Sequence, residues 1–146
     1  MLSLVYTSTQ TGSMERSAFA SLCASSSAKN RILGISGVLL FNGHEFLQCL
    51  EGPAAHVSAV YAAILKDPRH NDIRLLHHSA ITDRMFDGWA MGGWFADNRT
   101  DLSGLPYGFL DHRLHRPWHT LGQGAADLVF EYAKVKRNVD SKDQTE

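Results

Sequence analysis

The chain has 146 residues, a formal net charge of −1 and 44% hydrophobic residues, the balance of one soluble globular domain with a short extension. This charge gives no reason to expect nucleic acid or an anionic membrane as a partner, and no apolar run approaches the ~20 residues of a membrane-spanning helix. Two cysteines do not make a disulfide framework and the N-terminus lacks a secretory signal, so we expect a cytoplasmic protein.

The first third of the chain carries one strand pattern, one helix pattern and a hairpin. The β-favouring run at 2–9 predicts a strand. Apolar residues at three- and four-residue spacing then predict a helix over about 13–27, which Ser13 can cap. Residues 34–52 hold two apolar runs separated by "NGHE", and Asn-Gly between such runs is a strong hairpin indicator.

A second helix and two more strands follow. Pro53 is typical of a first helical turn, and apolar residues at helical spacing continue to "DPRH" at 67–70, where Pro68 ends the helix. Runs at 73–82 and 89–95 predict the last two strands. The order β-α-β-β-α-β-β predicts an α+β, ferredoxin-like fold, with two helices on one face of an antiparallel sheet and one added strand.

The composition changes after Phe95, so we predict a domain over 1–95 and a C-terminal helical extension with a frayed tail over 96–146. Residues 121–137 have the pattern of a single helix with an apolar side. That side must cover either its own sheet or another subunit.

One polar residue of the hairpin, Gln48, stands in an apolar run. Side chains alternate along a strand, so Gln48 shares a face with Phe46 and Leu50, which makes it the core face. A buried amide is costly unless its donors and acceptor are bonded. The sequence therefore predicts a specific partner for Gln48.

Other candidate residues have ordinary explanations when each is taken alone. Tyr6 in a first strand is commonly a core residue, and Asn30 lies where an asparagine commonly ends a helix. Met91, beside tryptophans on the last predicted strand, is commonly a core residue that fills space.

Metal binding and hydrolytic catalysis have little support in the sequence. His112, His115 and His119 have the spacing of one helical face, but Pro117 argues against a continuous helix and no further ligand set completes a site. Asp67 with His70 is an unsupported acid–base pair, and there is no P-loop, nucleophile elbow or dinucleotide fingerprint. We predict no metal site and no enzyme.

Taken together, the ordered motifs resemble the BLUF family of blue-light sensors that use flavin. The similarity extends over residues 2–95, about two thirds of the chain. The matching stretches are "LVYTS" (4–8), "KNRILGISGVLLF" (29–41), "EFLQCLEG" (45–52), "VYAAILKDPRH" (60–70) and "ITDRMFDGWAMG" (81–92).

The resemblance implies a flavin held between the two helices and a role for each matching residue. Tyr6 corresponds to the electron-donor tyrosine, Gln48 to the switching glutamine and Asn30 to the asparagine that bonds the ring edge. Met91 and Trp89 correspond to the exchanging pair of the last strand.

Other matching residues are implied to support this set. Ser8 corresponds to a serine that supports the tryptophan. Asp67, Arg69 and His70 correspond to the end of helix 2 near the flavin, with Ile64 packing on the ring. Lys29 is a departure, because some relatives have His or Asn there.

The resemblance also implies how the sensor works. Light drives electron and proton transfer from Tyr6 to the flavin, and the hydrogen bonds of Gln48 rearrange by rotation or tautomerisation. The change leaves through strand 5. FAD is the expected cofactor, although FMN or riboflavin can fit. No effector domain is expected in the remaining residues, so we expect a separate partner protein and a homo-oligomer.

Two alternatives compete with the photosensor interpretation. One is a ferredoxin-like interaction module that binds no flavin, against which the presence of Tyr6, Asn30 and Gln48 together argues. The other is a small flavoenzyme, which would need a second substrate site that no sequence feature indicates.

Overall fold

The computed structural model describes residues 1–95 and 117–145, with side chains up to Lys134. The described residues form five strands, three α-helices and a single 3-10 turn. In chain order these elements are β1 (Leu2–Gln10), α1 (Arg16–Leu33), β2 (Ser36–Phe41), β3 (Glu45–Gly52), α2 (Ala54–Leu65), β4 (His70–Ala80), β5 (Gly92–Phe95), the 3-10 turn (Trp118–Thr120) and α3 (Gln123–Thr145).

The five strands form one sheet in the order β4-β1-β3-β2-β5, which confirms the predicted α+β, ferredoxin-like class. The β1–β3, β1–β4 and β2–β3 pairs are antiparallel, as predicted. The prediction of a wholly antiparallel sheet is wrong for β5, which pairs parallel to β2. The chain leaves β4 at one edge and enters β5 at the other, and strand patterns do not specify that crossing.

The first helix is longer than predicted. Its serine-rich C-terminal half has only moderate helix propensity, which made an end near residue 27 plausible. The helix instead continues to Leu33 and ends at Gly34, whose φ of 69° is the left-handed conformation of a helix C-cap. Asn30 therefore lies one turn inside α1, and its side chain is buried.

The last strand is shorter than predicted and begins at Gly92 instead of residue 89. The Trp89 N–H donates to the Phe86 carbonyl in a turn, and the Trp89 carbonyl accepts from the Gly37 N–H. Residues 89–91 thus form a connecting segment that leads into β5.

The two faces of the sheet carry different cores. One face, with Tyr6, Leu39 and Leu50, packs under α1 and α2. The opposite face, which includes Leu47 and Cys49, packs against α3. The helix predicted over 121–137 is present, and it covers its own sheet. The helices in the described residues include no apolar stretch of the length that a membrane span requires.

A buried carboxylate at the end of β3 anchors the segment that follows β4. Glu51 is fully buried, and its side chain accepts hydrogen bonds from Ser36 Oγ at 2.9 Å, Met85 N–H at 2.9 Å and Phe86 N–H at 2.6 Å. Arg84 donates to Ser36 Oγ at 2.8 Å, so the guanidinium lies close to the carboxylate. Ionised acceptors make stronger hydrogen bonds than neutral ones, so Glu51 fixes this connection.

We expect Glu51→Gln to destabilise the fold by about 1–3 kcal/mol, because one amide nitrogen would replace an oxygen that accepts buried N–H groups. The free energy of unfolding in urea measures this loss. Glu15→Gln is the matched control, since Glu15 is exposed and its side chain caps nothing. Equal stabilities of the two variants would contradict the anchoring role of Glu51.

Candidate functional site

A cleft of about 260 Å³ lies between α1, α2 and the sheet face beneath them. This is close to the roughly 300–1,000 Å³ of small-molecule sites, and most of its lining is apolar. Every side chain predicted to bind the cofactor lines the cleft. These are Tyr6, Lys29, Asn30, Gln48, Ile64, Asp67, Arg69 and His70.

Tyr6 and Gln48 form the polar centre of the sheet face. They lie directly opposite each other on the antiparallel strands β1 and β3, and the Tyr6 hydroxyl donates to Gln48 Oε1. Only 3% of Tyr6 and 6% of Gln48 is exposed. The phenol is thus the partner that the sequence required for the buried amide oxygen.

Burial also determines the protonation state of Tyr6. It raises the pKa of the hydroxyl far above its ordinary value of about 10, and the nearby Tyr61 and Asp67 raise it further. Tyr6 is therefore a neutral donor at any physiological pH. If Tyr6 loses an electron, its hydroxyl proton has a defined acceptor in Gln48 Oε1.

Met91 is the neighbour of Gln48 on the other side of its amide. Gln48 Nε2 donates to Met91 Sδ at 3.5 Å, and Met91 belongs to the core under α1 and α2. Trp89 packs instead on the α3 face, with its ring 6.4 Å from that of Tyr132. A Cβ at Gly92 would lie 2.4 Å from the Trp89 ring, so this glycine is required for the observed packing.

Asn30 connects α1 to the same segment. Its Nδ2 donates to the carbonyl oxygen of Ala90 at 2.8 Å, and only 4% of the residue is exposed. Gln48 and Asn30 therefore hold the chain at Met91 and Ala90 from two different elements.

The end of α2 places charged groups at the cleft. Arg69 donates from Nη2 and Nε to Asp67 at 2.6 and 3.0 Å. This hydrogen bonding lowers the pKa of the Asp67 carboxyl to about 2. Lys29 lies on α1, also at the cleft. The pair Asp67–Arg69 is nearly neutral as a unit, which leaves Lys29 as a cationic group of this lining.

His70 connects α2 to β1. Its Nε2 donates to the Ile64 carbonyl at 2.7 Å, and its Nδ1 lies 2.7 Å from Ser8 Oγ. The carbonyl fixes the hydrogen on Nε2, so in the neutral ring Nδ1 accepts from Ser8. The structure thus pairs Ser8 with His70 and does not bring it to Trp89, which lies on the opposite face of the sheet.

Several lining residues were not predicted individually. Four of them lie on or before α1: Met14, Leu22, Ser26 and Leu33. Leu22, Ser26 and Asn30 follow one another at four-residue spacing, which places them on one helix face. The spacing can be seen in the sequence, but the helix was predicted to end near residue 27, so Asn30 was not assigned to this face.

The histidines considered as metal ligands form no site among the described residues. His112 and His115 lie outside the described residues, and His119 hydrogen-bonds to Glu45. In residues 1–95 and 117–145, no three His, Cys, Asp or Glu side chains could hold a metal ion together.

Comparisons with known proteins agree with this geometry. A family model, "BLUF: Sensors of blue-light using FAD", matches residues 1–92. Photoactivated adenylate cyclase subunit beta of Euglena longa is 33% identical over 86 residues, 59% of this chain and 10% of that protein. The blue light- and temperature-regulated antirepressor BluF of Escherichia coli strain K12 is 49% identical over 45 residues, 31% of this chain and 11% of that protein.

A solved structure extends the likeness to the fold. The dark-state structure of BlrB, a BLUF protein, is 33% identical, with a TM-score of 0.61 over 64% of this chain and 71% of that one. The matched part of this chain spans about a tenth of the length of the two curated relatives. The family match covers β1 to the start of β5 and includes every residue that lines the cleft. The chain therefore belongs to the BLUF family of blue-light sensors that use FAD.

Proposed function

We propose that this chain is a blue-light photoreceptor in which Tyr6 and Gln48 form the light-driven switch. The observation that carries the proposal is the hydrogen bond from Tyr6 to Gln48 in the wall of a cleft large enough for a planar ring. A buried tyrosine bonded to a buried amide supplies an electron donor, a proton and a rearrangeable acceptor in one contact.

The lining fits the flavin ring that BLUF domains bind. Leu39, Leu50 and Ile64 provide apolar walls, and the amides of Asn30 and Gln48 supply donors and acceptors for the polar ring edge. Among the described residues, the hydrogen-bond partner of Gln48 Nε2 is the weakly accepting thioether of Met91, so Nε2 can donate to a stronger acceptor. FAD is the expected cofactor, and FMN or riboflavin fits the same ring contacts.

The chemistry at Tyr6 follows from its burial. When bound and excited by blue light, the flavin supplies an oxidant strong enough to take an electron from a phenol. Tyr6 then releases its hydroxyl proton to Gln48 Oε1, the atom to which it is already bonded. The electron then returns to Tyr6, and Tyr6 takes back a proton from Gln48. Gln48 is left either rotated or as the tautomer in which one Nε2 hydrogen has moved to Oε1. No net bond is made or broken in the flavin, so the state reverses in the dark.

The output route starts at the Gln48 contact with Met91. Either rearrangement changes which group Gln48 presents to the Met91 sulfur, and Met91 immediately precedes β5. A network change of this kind is worth about 1–3 kcal/mol, enough to shift a two-state equilibrium about 5–150-fold. We propose that the segment 89–95 moves in response.

We propose that a separate effector protein receives this change and that the chain itself is not an enzyme. One relative is named as an antirepressor and another as a cyclase subunit, so related sensor domains occur with different outputs. A homo-oligomer and a cytoplasmic location stay predictions. Because the apolar face of α3 over 125–132 already packs on its own sheet, that face does not need a second subunit.

The first test is the absorption spectrum of the purified protein in the dark and directly after blue light. We expect a flavin spectrum that shifts to the red and relaxes back. Tyr6→Phe should bind flavin but lose the shift, since it removes the hydroxyl bonded to Gln48. Tyr61→Phe is the matched control, because its ring packs 5.6 Å from that of Tyr6, and it should keep the shift.

Each other result favours a stated alternative. A flavin that bleaches on illumination and turns over with a reductant would indicate a flavoenzyme. A protein that binds no flavin even after reconstitution would be an interaction module. A full red shift in Tyr6→Phe would exclude Tyr6 as the switch donor.

The output route is tested at Met91. We expect Met91→Ala to keep the red shift but lose the light-dependent change in amide hydrogen exchange over 89–95, because it removes both the sulfur and the packing contact. Met91→Leu keeps similar packing and lacks the sulfur, so it separates the two contributions. A wild-type light response over 89–95 in Met91→Ala would contradict this route.

A further inference from the structure

A second buried carboxylate lies at the other end of β3, the strand that carries Gln48. Glu45 is 5% exposed. Its carboxylate accepts from the Trp118 N–H at 2.6 Å, the His119 N–H at 2.9 Å and His119 Nδ1 at 3.1 Å. Asn42 Nδ2, in the hairpin, lies 3.4 Å from Oε1. In residues 1–95 and 117–134, the partners of Glu45 outside the hairpin belong to the 3-10 turn that precedes α3.

Trp118 depends on this contact for its position. Its side chain is fully buried, but its indole Nε1 has no hydrogen-bond partner in the described part of the chain. Burying an N–H without a partner is unfavourable. The packing of the ring and the two main-chain bonds to Glu45 must therefore offset that cost.

The packing around Trp118 leads back to the switch. Leu47 and Cys49, the two neighbours of Gln48 along β3, point to the opposite face and join the same core as Trp118 and Val129 of α3. The stretch 47–49 thus presents Gln48 to the cleft on one face of the sheet and Leu47 and Cys49 to α3 on the other. Glu45 lies three residues from Gln48, roughly 10 Å along the strand.

We propose that Glu45 is the positioning residue that couples the Gln48 switch to α3. The inference rests on the proposed function and adds an output route through β3, separate from the one through Met91. β3 is hydrogen-bonded to β1 on one side and β2 on the other, so a displacement at Gln48 is transmitted along it as a unit. The Glu45 bonds are short and directional, so a small displacement of the strand end breaks them.

In the light state, Glu45 releases the N–H groups of Trp118 and His119, and the start of α3 becomes free to move. In the dark, the bonds re-form and α3 returns. The contact is thus made in one state of the switch and lost in the other, whereas a purely structural anchor would persist in both.

Amide hydrogen exchange of the flavin-loaded full chain reads this contact directly, because the Trp118 and His119 amides are the bonded groups. In the wild type we expect these amides to exchange at least about fivefold faster under blue light than in the dark. In Glu45→Gln an NH2 group replaces one of the two acceptor oxygens, so at least one of these amides should exchange fast in both conditions, while the flavin red shift is retained. Glu15→Gln, which removes an exposed carboxylate, should behave as the wild type.

A second variant keeps the test independent of how well Glu45→Gln folds. His119→Ala removes only the side-chain contact and leaves both main-chain bonds, so its light–dark difference at Trp118 should survive. Loss of that difference in His119→Ala would overturn the assignment to the main-chain bonds.

The failures of the two proposals are distinguishable. A wild type that shows the red shift but equal exchange of Trp118 and His119 in light and dark would overturn the coupling and leave the photosensor standing. A wild type without any red shift would overturn the photosensor. In that case, dark exchange in Glu45→Gln equal to that of the wild type would also overturn the Glu45 contact itself.

Discussion

The structure depends on one cross-strand pair. Gln48 lies on an apolar sheet face where an amide without a partner would cost about 1–3 kcal/mol, and Tyr6 stands directly opposite to satisfy it. This pairing requires β1 and β3 to be adjacent, antiparallel and in one register. The same requirement places the phenol against the cleft between α1 and α2, where a ring can bind. The contact that stabilises this sheet face is thus also the one on which the proposed photochemistry relies.

β3 is the central strand of the sheet, and both of its ends are tied to segments outside it. Glu51 holds the chain that follows β4, and Glu45 holds the turn that precedes α3. Between them, Gln48 faces the cleft while Leu47 and Cys49 face α3. The Gln48 amide is therefore linked to β5 through its contact with Met91, and to α3 through its neighbours on the strand.

Much of the fold could be predicted from the sequence because its determinants are local. The Asn-Gly turn predicted the hairpin, and the alternation along β3 placed Gln48 on the core face. The end of α1 was predicted too early because the serine-rich stretch has only moderate helix propensity. The helix instead continues to the cap at Gly34. The parallel pairing of β5 was missed because it depends on a long crossing. The resemblance predicted residues that the structure brings together in the lining of the cleft. It did not predict the partners of Ser8 and Glu45, since these lie 62 and 73–74 residues away in the chain.

The alternation of β3 also constrains how this protein can change over generations. Inserting or deleting one residue just after Glu45, with Glu45 held in place, would turn Gln48 toward α3 and bring Leu47 and Cys49 into the cleft. Single substitutions along the strand alter chemistry at one position, whereas a change of length exchanges the two faces at once. The hairpin turn before β3 shares this requirement, because its length sets the register of β3 against β2. We therefore expect homologues to keep both the turn and β3 fixed in length.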